Sequence, residues 1–425
     1  MKSTPYTLAL IGAGLVSLPA VLQAEEKGNF IQTAFAYTTL SGYVDTSAQW
    51  NVGTGNDNLP PYKFGGSSKA DGFNLNVVQL RIDKPLDESS WAAGYRVDLW
   101  LGPDANTLGT ASTLHTSTTE GSSSDFAIRQ AYVALRVPIR NGLDFKVGVF
   151  DSIIGYESVE SPSNPNYTRS YGHTLEPQTH TGILASYRVT EAISLSAGIA
   201  NTKGPHINAR AFGEDGKAES HKTYMGSLAL TAPDNWGFLS GSSFYAGVVS
   251  GLDDNEGGTD YNDNSTSYYV GATIATPVTG LRFGVAFDYL DVRHFAAIKA
   301  AYDLNSPDPN PGTAWSLGLY ASYQATEKLS LHLRGEYLED RADFFNIAAF
   351  NNGATADSFF NAGGFKVWDL TGTVQYDLWK NVMTRLEVRW DHGNNGQYFS
   401  SPGVVAVESY KRNAVMFAAN VIYKF

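Results

Sequence analysis

Val415-Met416-Phe417-Ala418-Ala419-Asn420-Val421-Ile422-Tyr423-Lys424-Phe425 ends the chain, and its alternation opens the rest of the sequence to reading. Positions 415, 417, 419, 421, 423 and 425 are all apolar or aromatic, whereas the intervening face carries Asn420 and Lys424. Successive side chains of a strand point to opposite faces, so a period of two sets one face against an apolar medium and the other against polar groups. A helix would scatter the same residues around its circumference. The segment is therefore read as a strand, and the question becomes what covers its apolar face.

About sixteen segments share this pattern. The clearest are 91–101, 143–149, 193–199, 281–289, 315–323, 329–337, 368–378, 382–390 and the C-terminal one. Weaker candidates begin near Leu40, Val78, Gln130, Thr181, Tyr224, Phe244 and Tyr268. The connections alternate in length. Residues 138–142, 190–192, 277–280, 326–328 and 379–381 are short turns, whereas 52–72, 102–125, 151–179, 201–222, 251–266, 291–313, 340–366 and 393–413 are long. The long ones are rich in Gly, Asn, Asp, Ser and Pro, as solvated loops are. Long loops at one end and tight turns at the other are what a membrane-crossing barrel shows, and a soluble sandwich has no reason to sort them so.

The two faces of each strand agree with that reading. Trp91, Ala93, Tyr95, Val97, Leu99 and Leu101 form one apolar stripe, and Trp315, Leu317, Leu319, Ala321 and Tyr323 form another with an aromatic ring at each end. Aromatic side chains with polar tips suit the two membrane–water boundaries. The partner faces carry charge: Arg96 and Asp98; Ser330, His332, Arg334 and Glu336; Asp369, Thr371, Thr373, Gln375 and Asp377; Arg385, Glu387, Arg389 and Asp391. A tight turn at 379–381 predicts Gln375 beside Arg385, Thr373 beside Glu387 and Thr371 beside Arg389. Such charges cannot face lipid, where an Arg near the midplane costs roughly 2–4 kcal/mol. They call for a water-filled lumen, which about sixteen strands enclose and about eight do not. The fold expected is all-β: a transmembrane antiparallel β-barrel of about sixteen strands, with short periplasmic turns and long external loops.

Composition fits. No stretch approaches the length of a helical span, and mean hydropathy is slightly negative, which a barrel with half of each strand facing water tolerates. Residues 1–24 read as a signal peptide, with Lys2 as the positive region, an apolar run from Thr7 to Leu22 and a Leu22-Gln23-Ala24 cleavage-like triplet. Residues 25–38 read as an N-terminal leader and 39–425 as the barrel. Cysteine is absent, which excludes disulfides and thiolate metal sites. The formal charge of −12 argues against nucleic acid as a partner.

A strand closing on Tyr423 and Phe425 resembles the assembly signal of bacterial outer-membrane barrels, read by the barrel-assembly machinery before the last strand zips to the first. Further motifs are Gly142-Leu-Asp-Phe-Lys-Val-Gly-Val-Phe150, Ile154-Gly-Tyr-Glu157, Asn164-Pro-Asn-Tyr167, His180-Thr-Gly182 and Ala200-Asn201. With them the chain resembles the OmpL-like β-barrel porin family over most of its mature length. The resemblance implies an outer-membrane porin that passes small polar solutes, surrounded by outer-membrane lipid and lipopolysaccharide; it supplies no substrate. General porins fold the third external loop into the lumen, its carboxylates opposite an arginine cluster on the wall. By that analogy Glu157 and Glu160 are the loop candidates, and Arg96, Asp98, Arg334, Glu336, Arg385, Glu387 and Arg389 the pore-wall candidates. A loop lying outside, with the arginines paired to neighbouring carboxylates, is the competing arrangement. A homotrimer is open, since every strand offers an apolar outer stripe.

Other readings rest on less. A sugar-selective channel would use an aromatic slide from Phe344, Phe345, Phe350, Phe359 and Phe360 with Tyr156 and Tyr171. A surface-adhesion or envelope-tethering barrel would use its external loops. Asp253, Asp254, Asn255, Glu256, Asp260, Asn262 and Asp263 could coordinate calcium, but their spacing misses the EF-hand pattern. No metal site and no cofactor are therefore expected. His332 has Ser330 nearby without a hydrolase signature, so no catalytic residue is assigned.

Overall fold

The computed structural model describes residues 37–87, 90–111, 124–211, 219–252, 264–292, 312–342, 344–345, 364–400 and 410–425. Residues 1–36, on which the signal and most of the leader are expected, lie outside them. Sixteen antiparallel strands close into one barrel in which every strand pairs with its neighbours in sequence and β1 pairs with β16. The first eight are β1 (Thr39–Asn51), β2 (Gly72–Lys84), β3 (Ala92–Leu101), β4 (Phe126–Val137), β5 (Leu143–Asp151), β6 (Thr179–Arg188), β7 (Ile193–Ala200) and β8 (Thr223–Thr231). The others are β9 (Ser243–Leu252), β10 (Asn264–Ala275), β11 (Leu281–Val292), β12 (Thr313–Gln324), β13 (Leu329–Asp340), β14 (Phe365–Trp379), β15 (Val382–Gly393) and β16 (Asn413–Lys424). All the expected strands are present, including the one near Leu40.

Closure removes the sheet edges that would otherwise expose unpaired backbone groups to lipid. At the seam Trp50 lies opposite Phe417 and Tyr43 opposite Lys424. The ladder continues to the last residue: Gly42 N–H donates to Phe425 O at 2.9 Å, and Phe425 N–H to Gly42 O at 3.0 Å. A Cβ at Gly42 would lie 2.8 Å from the Phe425 ring, so glycine lets the terminal aromatic close the seam. Asn381 takes a positive φ of 67°, which a short polar side chain tolerates, and turns β14 into β15 in two residues. The resulting register pairs Gln375 with Arg385, Thr373 with Glu387 and Thr371 with Arg389, as the turn length predicts.

The outward face is apolar and bounded by aromatics. At the long-loop end the Trp315–Tyr337 and Tyr337–Trp368 ring centroids are 5.3 Å and 4.6 Å apart. At the short-turn end Tyr323, Tyr376, Trp379 and Tyr423 are exposed. The eight steps from Trp315 to Tyr323 run roughly 26 Å along the strand, which at a tilt of about 40° is about 20 Å of height, most of an apolar band about 25 Å tall.

The interior is filled from the long-loop end. Residues 152–178, here L3, enter the lumen after β5 and carry a short helix, α2 (Tyr171–Leu175), capped by Ser170, whose hydroxyl accepts from His173 N–H at 3.0 Å. Ile153, Ile154 and Tyr156 pack into an apolar cluster with Leu184, Met225, Val249, Tyr269, Ala286 and Tyr320, inward residues of β6 and β8–β12. Gly247 makes room for this: a Cβ there would sit 2.7 Å from Ile154. Tyr171 and Leu175 join a second cluster with Leu290, Leu338, Phe365 and Val367. A third cluster joins Phe64, Ala105 and Leu108 to Tyr43, Val77 and Trp100 of the wall, so the packed core among the described residues lies inside the barrel, between its inward segments and the wall.

Candidate functional site

The alternation of β13, β14 and β15 turns Arg334, Glu336, Asp369, Arg385, Glu387, Arg389 and Asp391 inward, and L3 lies directly on them. Arg334 uses all five of its N–H donors. They reach Asp369 (2.7 Å), Glu157 (3.0 Å), the carbonyl and hydroxyl of Thr168 (2.9 and 3.1 Å) and the Thr371 hydroxyl (3.1 Å). Arg385 donates to the carbonyls of Ser161, Asn164 and Asn166 at 3.3, 3.0 and 2.9 Å, to the Ser161 hydroxyl at 2.7 Å and to Asn420 at 2.9 Å. Arg389 donates to Asp391 and, at 2.7 Å, to the Arg169 carbonyl, while its guanidinium sits 4.0 Å from the Tyr62 ring centroid.

The wall carboxylates grip the loop backbone in turn. Glu387 accepts from Tyr167 and Thr168 N–H at 2.6 and 2.9 Å, and Glu336 accepts from Tyr171 and Gly172 N–H, both at 2.7 Å. A loop that brings its own backbone groups into a closed space must have them hydrogen-bonded, and these side chains supply the partners. Arg334, Arg385 and Arg389 are each at most 1% exposed. They face inward as expected, yet the loop covers them.

Glu160 goes elsewhere. It meets Arg81 on β2, Arg96 on β3 and Arg129 on β4, the last at 2.8 Å. Asp98 lies beneath the same three guanidinium groups, 2.9 Å from Arg81, 2.8 Å from Arg96 and 2.6 Å from Arg129, and Arg129 also pairs with Asp151. Burial alone would raise the Glu160 carboxyl, but Arg129 and Arg81 outweigh it and hold it below its usual range. The side chains of Arg81 and Arg96 remain 22% exposed and that of Asp151 34%. Lys146 sits 4.9 Å over the Tyr132 ring at the border of this cluster. Both loop carboxylates, Glu157 and Glu160, therefore contact arginines directly, on opposite flanks of L3.

Arg81, Arg129 and Asp151 were missed as wall residues. Arg81 keeps the inward period of β2 with Gln79 and Asp83, a signal present but faint in a weak segment. Arg129 was hidden by a bulge opposite Asp98 and Leu99, which turns Arg129 and Gln130 inward together and breaks the alternation.

Tyr171 is fully buried, its hydroxyl donating to Asp391 at 2.7 Å, and Tyr156 stacks on Tyr320 at 4.1 Å. Both serve loop packing. Phe345 packs edge-on to Tyr171 and Phe344 is exposed, while Phe350, Phe359 and Phe360 lie outside the described residues. The acidic cluster from Asp253 to Asp263 lies outside them as well. His332 Nδ1 is 2.9 Å from the Ser322 hydroxyl, and Ser330 donates to Gln324, so no Ser–His pair forms between 330 and 332.

A sixteen-strand barrel with lipid-compatible walls, a charged interior and an inward third loop is the architecture of an outer-membrane porin. The family model described as "Putative beta-barrel porin-2, OmpL-like" matches residues 37–425, and the chain belongs to that family. It is a channel for small solutes in the Gram-negative outer membrane. No curated protein matches it in sequence. Among solved structures it is similar to the outer membrane channel DcaP of Acinetobacter baumannii (14% identity, TM-score 0.54, covering 91% of this chain and 97% of that one). It is also similar to an anion-selective porin from Comamonas acidovorans (11%, 0.55, covering 91% and 99%) and to a trimer form of OmpT from Vibrio cholerae (14%, 0.51, covering 91% and 99%). At these identities the likeness is one of fold.

Proposed function

We propose that solutes and ions diffuse passively through a lumen narrowed by L3, and that they are screened by the β2–β5 cluster. The observation carrying this is the difference in exposure: the guanidinium groups on β13 and β15 are covered by L3, whereas Arg81, Arg96 and Asp151 keep contact with solvent. On this reading Arg334, Glu336, Arg385, Glu387 and Arg389 anchor the constriction loop, while Arg96 and Asp98, with Arg81, Arg129 and Glu160, form its charged margin. Cations and carboxylates alternate there, so a passing solute meets both signs at short range and is oriented by them. No step of covalent chemistry enters this mechanism, and the chain acts as a channel without catalysis.

Tyr423 and Phe425 serve as the assembly signal in this reading, residues 1–24 as a cleaved export signal, and association as homotrimers is the assembly to test. The experiment is single-channel current through the refolded protein in a planar bilayer, under a salt gradient and with sugars added. Ohmic steps that sugars leave unblocked are expected. Saturable block by one sugar would move the assignment to a selective channel, and folded barrels without conductance would leave an adhesion or tethering role.

A further inference from the structure

Beside L3, on the side of β1 and β2, residues 52–71 (L1) fold inward and enclose a small cavity with L3 and a helix, α1 (Pro103–Leu108). Its lining includes three cations, Lys63, Lys69 and Arg169, and two carboxylates, Asp45 and Asp104. Lys69 is paired with Asp104, both nearly buried. The Asp45 carboxylate accepts from the Asn76 and Asn420 amides at 2.9 and 2.6 Å. That leaves Lys63 and Arg169. Neither has a carboxylate within ion-pair distance among the described residues. Arg169 is 4% exposed; its two terminal nitrogens donate to the Tyr167 and Val159 carbonyls, and its Nε–H has no partner.

We propose that this cavity binds one small monovalent anion, halide in size, between the Lys63 ammonium and the Arg169 guanidinium. Charge and space argue together. Three cations against two carboxylates leave a single positive charge, and the cavity has room for about one water-sized particle. Arg169 is buried and Lys63 half-buried, its ammonium lowered by desolvation to about 8 and so still largely charged at neutral pH. Unpaired charges so placed are costly, and one anion would neutralise the excess while supplying the acceptor that Nε–H lacks. His173 adds no charge, since burial and the nearby Arg169 and Lys63 hold its imidazole well below its usual range. Because Lys63 belongs to L1 and Arg169 to L3, the anion would tie the two inward loops together.

The test uses the full chain folded in detergent and crystallised with sodium bromide. An anomalous peak is expected between Lys63 and Arg169, and it should vanish in Lys63→Gln, whose folding is verified by heat-modifiable mobility in gels. Ordinary water density without anomalous signal, or a peak that persists in Lys63→Gln, would overturn the site. In solution, bromide should raise the thermal midpoint of the wild type above its value in sodium gluconate of equal ionic strength, and Lys63→Gln should lose that difference. Equal midpoints in the wild type would overturn the proposal independently of any conductance result.

Discussion

Two arginine clusters line this barrel, and they differ in what the guanidinium groups touch. On β13 and β15, Arg334, Arg385 and Arg389 each donate to at least one loop carbonyl and have almost no surface left. On β2 and β3, Arg81 and Arg96 pair, among the described residues, with carboxylates and stay partly exposed. The same residue type thus acts as a clamp in one sector and as a charged surface in the other. What separates them is the cover supplied by L3, and with it the local dielectric: a covered charge acts on the loop, a wet one acts on what passes.

The sharpest way to break this comparison is to loosen the clamp. Arg385→Gln combined with Arg389→Gln leaves Asp391 with the Tyr171 hydroxyl but without its cation, and takes the arginine donors from the carbonyls of residues 161, 164, 166 and 169. Breaking a buried charged contact of this kind costs about 3–5 kcal/mol. We expect L3 to leave the wall, single-channel conductance to rise at least about two-fold, and chymotrypsin to gain access to Tyr167 and Tyr171. An unchanged conductance with a shifted reversal potential would instead make these arginines part of the charged margin.

The complementary change has a smaller effect of a different kind. Arg81→Gln with Arg96→Gln removes two partly exposed cations but leaves Asp98, Asp151 and Glu160 around Arg129. Arg129 and the Gln130 amide still hold the buried Asp98 carboxylate, so the barrel should stay folded. Reversal potentials should move toward cation preference while conductance changes by less than about two-fold. No shift in reversal potential would exclude this cluster from the ion path.

The smallest effect concerns pH. Glu176 of L3 lies close to the Asp288 carboxyl of β11, and burial, then the charge of Asp288, pushes the Glu176 carboxyl well above its usual range. The docked state therefore holds a proton that the released loop would give up. The stabilisation is fully present below the ordinary Glu value, falls as pH rises above it, and is lost once pH passes through the raised one. Conductance should drift upward on alkaline titration, and Glu176→Gln, which cannot ionise, should flatten that drift. A titration curve identical in wild type and variant would remove this contact from the control of L3.

The sequence alone was enough for the strand pattern, a count of about sixteen, the lumen-facing positions of Arg96, Arg334, Arg385 and Arg389, and the pairing of β14 with β15, while the closed ladder fixed the count at sixteen. Those features follow from a two-residue period and a two-residue turn, both local properties of the chain. Which arginines are covered is not local. It depends on how 27 residues of L3 cross the lumen and on which wall carboxylates receive their N–H groups. The bulge that turns Arg129 inward beside Gln130 is likewise a matter of pairing between strands. A loop's path is chosen by contacts far apart in sequence, such as Glu157 with Arg334 and Asn166 with Thr373, and only the closed barrel brings those partners within reach.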